Sequence, residues 1–96
     1  MIAKHEIEQK LKNLKPILKQ KYHVIRIGYF GSYAIGNATE TSDIDVLVDF
    51  DRPIGWEFFD IQDLLFEHLK RKIDLVSIKA LKQQLKADIL KQVIFV

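Results

Sequence analysis

The chain has 96 residues, 48% of them hydrophobic, and no cysteine; that is enough for one compact domain, residues 1–96, and it excludes a disulfide framework or a thiolate metal site. Met1 to Glu8 turn charged at once, and no stretch approaches the roughly 18 apolar residues of a membrane span, so the reading is a cytoplasmic protein with no signal peptide or membrane segment. Net charge is only +2, yet it is unevenly spread.

Ile7, Leu11, Leu14, Leu18 and Tyr22 recur at helical spacing, which predicts an amphipathic helix over about 4–21. Pro16 falls on its polar side, where the missing N–H leaves a carbonyl to water, so the helix is expected to be kinked or divided. Val24 to Phe30 (VIRIGYF) reads as a strand, and Asp43 to Phe50 (DIDVLVDF) as a second, nearly apolar on both faces; both are expected to be central. A second helix is expected from about Trp56 to Lys70, with Phe58, Phe59, Ile61, Leu65, Phe66 and Leu69 on one wide face. Trp56 and Leu64 fall on its polar side, either covered by a loop or part of a protein contact surface. Ile73 to Ile78 reads as a third strand, and Leu81, Leu85, Ile89 and Leu90 suggest a third helix to about Lys91. Gln92 to Val96 could add an edge strand or fray. The order helix, strand, strand, helix, strand, helix predicts an α/β (α+β) sandwich with helices packed on a small mixed sheet.

Residues 1–26 hold seven Lys/Arg and two Glu, giving +5; residues 27–63 hold one Arg and eight acids, giving −7; residues 64–96 hold seven basic and three acidic residues, giving +4. An acidic centre repels nucleic acid and phosphate unless cations intervene, which speaks against direct nucleic-acid binding and for metal binding.

The acidic block holds FGSYAIGNATETSDIDVLVDF, Phe30 to Phe50. Residues two apart on a strand face the same side, so Asp43 and Asp45 point together and can share a divalent ion; Mg²⁺ suits one or two carboxylates completed by water and phosphate oxygens. Gly31-Ser32 directly follows the first strand, where glycine lets a ligand approach the backbone and the turn can offer free N–H groups and a hydroxyl to phosphate. Asp74 sits among Ile73, Leu75 and Val76, where a buried charge needs a partner. That partner is a metal, in a three-carboxylate cluster for two ions, or a cation from Arg71, Lys72 or Lys79. His5, His23 and His68 show no ligand spacing, and Lys70, Arg71 and Lys72 end a helix where the dipole favours cations without any ligand.

GSYAIG, then SDIDVLVDF, then KIDLVS resemble the signature of the minimal nucleotidyltransferases of the DNA polymerase β-like superfamily, over nearly the whole chain. The resemblance implies a polymerase β-like palm with Gly31 and Ser32 on the triphosphate of ATP and Asp43 and Asp45 on two Mg²⁺ ions. It places Asp74 on the catalytic metal and as base for the acceptor hydroxyl. It also implies a partner, since similar domains are antitoxins that transfer AMP to a tyrosine of an all-helical HEPN-type ribonuclease toxin. One position departs from the pattern: Ile35 stands where the family has Arg before the second glycine. Two other functions compete: a module that neutralises its partner by occlusion, and transfer to a small molecule, for which these residues offer no second domain to build an acceptor pocket.

Overall fold

The computed structural model describes residues 1–96. Its elements are α1 (Lys4–Tyr22), β1 (Val24–Phe30), α2 (Ser32–Ile35), β2 (Ile44–Phe50), α3 (Glu57–Leu69), β3 (Ile73–Ser77), a 3-10 turn (Ile78–Ala80), α4 (Gln83–Gln92) and β4 (Ile94–Phe95). The strands form one mixed sheet in the order β3-β2-β1-β4. β1 runs antiparallel to both neighbours, while β2 and β3 are parallel and joined by the α3 crossover. β1 and β2 fill the inner positions, which accounts for their nearly unbroken apolar runs: a strand covered on both faces has no reason to alternate.

The two faces of the sheet are covered unequally. On one, Ile7, Leu11, Leu14 and Leu18 of α1 and Ile61, Leu65 and Leu69 of α3 meet Ile27, Tyr29, Val46 and Val48 in a core of 18 buried residues. Burial and the Glu8 carboxylate, which accepts its hydrogen bond, hold the Tyr29 hydroxyl protonated well beyond its usual range. The other face carries a cluster of only four, Phe30, Leu47, Ile78 and Ile89, beneath α4.

Two expectations are narrowed, those for α1 and for the C-terminal residues, and two need correction, those for α3 and α4. α1 is not divided: Pro16 is exposed within one helical span, so the carbonyl it frees faces water. Phe59 and Phe66 are exposed, because the buried stripe of α3 follows Ile61, Leu65 and Leu69 at four-residue steps and both rings lie beyond its edge. α4 starts at Gln83 and buries only Ile89, with Leu85 and Leu90 outside. Finally, the C-terminal residues do form an edge strand, which approaches closely because Gly28 is bare: a Cβ there would lie 2.6 Å from the Ile94 carbonyl oxygen.

Candidate active site

Pleating assembles the acids. Residues of β2 alternate between the two faces, so Asp45, Leu47 and Asp49 share the thinly covered one, and Asp43 lies just ahead of the strand rather than inside it. In the parallel register Asp45 stands opposite Asp74, as Leu47 stands opposite Val76. α4 covers Leu47 but not this end of the sheet, where Asp43 and Asp45 are half-buried and Asp74 is exposed. The expected burial of Asp74 is therefore wrong; β3 is an edge strand whose acid-bearing face is open here.

Burial, the charge of Asp74, a hydrogen bond with it and the charge of Asp43 together push the Asp45 carboxyl up to about 6. None of the three acids is in a salt bridge. The cation weighed for Asp74 is absent; Lys79 Nζ instead donates to the Phe50 carbonyl at 2.7 Å and lies 4.0 Å from Asp49. The structure thus brings Asp45 and Asp74 together, with Asp43 near enough to act through charge. No three His, Cys, Asp or Glu side chains close into a ready-made ligand set. In kind the donors fit Mg²⁺: they are hard carboxylate oxygens, and Asp45 holds its proton longer than usual because it is partly buried beside two other carboxylates.

Phe30 pairs with Asp45, so the chain leaves β1 beside that carboxylate. Gly31 has φ of +70°, which favours glycine, and a Cβ there would crowd the Asp45 carboxylate. The turn that follows is the one-turn helix α2, which residue periodicity is too short to reveal. The Gly31 carbonyl accepts from the Ala34 and Ile35 N–H groups at 3.0 and 3.1 Å, and the Ser32 carbonyl from Gly36 and Asn37 at 3.1 and 3.0 Å. The Gly31 N–H is not free: it donates to Gln92 Oε1 at 2.8 Å. Gln92 lies 61 residues away at the end of α4, and no sequence signal marked it. Ser32 is half-buried beside this contact and Ile35 is 61% exposed. Lys4 Nζ donates to the Ala34 carbonyl at 3.1 Å, which brings a cation close to the position where the family pattern has Arg. Tyr33 is turned into the main core with its hydroxyl unpartnered.

The largest concavity, about 870 Å³, lies at the other end of β2 and β3, between Phe50, Phe58, Leu75 and Leu81. Its cations are held internally, Arg52 by Asp51 and Lys79 by the Phe50 carbonyl, and no pair of acids faces it. The paired acids lie at the opposite end of these strands.

The family described as "Nucleotidyltransferase domain" matches residues 11–96. The chain is 37% identical over 97 residues to protein adenylyltransferase MntA of Thermococcus cleftensis, covering 100% of this chain and 98% of that one. It is 44% identical over 93 residues to a Methanocaldococcus jannaschii protein that bears an adenylyltransferase name, 95% of each chain. Among solved structures it superposes on a toxin-antitoxin structure with AMP-PNP at a TM-score of 0.72 and 22% identity, over 98% of this chain and 72% of that one. An MNT antitoxin structure in complex with a tri-AMPylated Shewanella oneidensis HEPN toxin follows, at 0.67 and 20%, over 94% and 70%. These two likenesses speak to the fold, that of a minimal nucleotidyltransferase. With Gly31, Asp43, Asp45 and Asp74 all inside the matched span, the chain belongs to the nucleotidyltransferase domain family.

Proposed function

We propose that residues 1–96 act as one cytoplasmic, Mg²⁺-dependent antitoxin domain that transfers AMP from ATP to a tyrosine hydroxyl of a HEPN-type ribonuclease partner. The observation that carries this reading is the Asp45–Asp74 pair, side by side on parallel strands with no cation near it and with Gly31 packed against Asp45. The relatives named protein adenylyltransferase and the complexes with HEPN toxins support the acceptor and the partner.

Asp43, Asp45 and Asp74 would hold two Mg²⁺ ions, which when bound supply the positive charge that a triphosphate and an ionising acceptor oxygen need. The chain's own residues do the rest. Gly31 presents a side-chain-free backbone where phosphate must approach beside Asp45, and the Ser32 hydroxyl lies at the same turn. In the transfer the acceptor oxygen bonds the α-phosphorus of ATP, the bond to the β-phosphate breaks, and pyrophosphate leaves. The acceptor proton passes to an Asp74 carboxylate oxygen, which is exposed and so within reach of a protein substrate. Incubation of the co-purified HEPN-type partner with Mg²⁺-ATP, followed by intact-mass measurement, should show AMP-sized increments on the partner.

Two observations favour occlusion without chemistry as a second reading: Gln92 already occupies the Gly31 N–H, and Ile35 offers no charge to phosphate. A tight complex with no mass increment under the same conditions would select it.

A further inference from the structure

The exposed side of α3 has a regular pattern that neither the core nor the acidic end uses. Trp56, Phe59, Asp63, Phe66 and Lys70 follow one another at steps of three, four, three and four residues, and every one of them is exposed. Trp56 is 82%, Phe59 55% and Phe66 54% exposed, and the Trp56 and Phe59 rings lie against each other at 5.8 Å between centroids. Such spacing keeps a seam on one side of a helix and is the repeat by which a second helix packs alongside. This seam is separate from the buried stripe of Ile61, Leu65 and Leu69.

The charges beside the seam select the occupant. Glu57, Asp60 and Glu67 beside it and Asp63 within it are all exposed, and none is in a salt bridge although the chain has 15 Lys/Arg. A second copy packing α3 against α3 would oppose these acids to themselves, which charge disfavours. A helix with Lys or Arg flanking its apolar seam would neutralise them. The crossover carries α3 back to the start of β3, so the Phe66–Lys70 end of the seam lies at the same end of the sheet as Asp45 and Asp74, on the side of the opposite face, which α1 and α3 cover. From Trp56 to Lys70 the seam is about 21 Å long, some four helical turns.

We propose that this aromatic seam of α3 is a docking ridge for a basic-flanked helix of the protein that receives the nucleotide. This rests on the reading of the chain as a protein adenylyltransferase, deepens it by assigning the surface, and is tested separately from it. Trp56 is the only tryptophan, so its emission reports the ridge directly. Two helical peptides with the same leucine seam serve as probes, one flanked by Lys and one by Glu, alongside the co-purified HEPN-type partner. The Lys-flanked peptide and the partner should each shift Trp56 emission to the blue and saturate, whereas the Glu-flanked peptide should not bind. Asp60→Lys with Glu67→Lys should weaken both complexes at least tenfold with an unchanged melting curve, and Phe59→Asp with Phe66→Asp should do the same. Unchanged Trp56 emission in a formed partner complex would overturn the proposal, as would full affinity in both double variants, or a blue shift with dimers in the chain alone. A partner that docks on the ridge yet receives no AMP would sink the adenylyltransferase reading and leave the ridge standing.

Discussion

Asp45 and Asp49 lie four residues apart on the same face of β2, and their surroundings are opposite. Asp49 is buried and supplied with partners: the Phe50 N–H at 3.0 Å, Arg26 Nη2 at 3.5 Å and Lys79 Nζ at 4.0 Å. Asp45 has no cation, and its burial together with the neighbouring Asp74 and Asp43 drives it up to about 6. One acid is satisfied by the fold itself. The other has no counter-charge from the fold, which is the condition the proposed cation site requires even where the residue types are identical.

The sharpest way to break that contrast is to remove each carboxylate in turn. Asp45→Asn or Asp74→Asn should lower AMP transfer to the partner by at least about 10²–10³-fold with the fold intact, the scale of losing a group that stabilises developing charge. Asp49→Asn should leave transfer near normal and cost about 1–3 kcal/mol of stability, because Arg26 and Lys79 lose their partner. Transfer assays and denaturant curves on the same preparations decide it; an active Asp45 variant would refute the contrast.

Next in size is the phosphate turn. Ile35→Arg would add a charge-assisted hydrogen bond worth about 1.5–3 kcal/mol, so Mg²⁺-ATP should bind the isolated domain roughly ten- to a hundredfold more tightly. Calorimetry measures it, and an unchanged affinity would mean that residue 35 faces away from the phosphates or that Lys4 already serves.

The same contrast has a pH signature. Because the Asp45 carboxyl is raised above its ordinary value, the metal-free domain should be most stable at acid pH and lose that stability as pH rises through about 6. At pH 7.5 without metal, Asp45→Asn should be the more stable protein by about 1 kcal/mol, after allowance for the solvent that screens this half-buried group. Thermal melts across pH 4.5–8, with and without Mg²⁺, test the sign; the melting temperature of the wild-type chain should vary least when Mg²⁺ is present.

The smallest effect expected is at Tyr33. Its hydroxyl is buried without a partner, so Tyr33→Phe should be neutral or stabilising by up to about 1 kcal/mol. A clear loss of stability in the melting curve would show that the hydroxyl has a partner in solution.

The elements that repeat were legible in the sequence. The helical spacing of Ile7 to Tyr22 and the apolar runs of β1 and β2 marked each element within a residue or two, since burial of a whole face leaves its period in the chain. Asp43 and Asp45 were legible as neighbours for the same reason. The pairing of Asp45 with Asp74 depends on strand register, and the Gln92 bond to Gly31 on how α4 ends, neither of which has a local signature. Phe59 and Phe66 misled because an apolar residue beside a buried stripe looks like part of it; only the packing of α3 on the sheet shows which rings remain outside. The one-turn helix α2 is too short to have a period.

The most direct measurement is the titration of the Asp45 carboxyl carbon by NMR, with and without Mg²⁺. A midpoint near 6 is expected in the metal-free protein, falling with Mg²⁺ to or below the ordinary value of about 3.9. A midpoint already at the ordinary value, or one that Mg²⁺ leaves in place, would contradict the assignment of this end of the sheet as the site where cation and nucleotide meet.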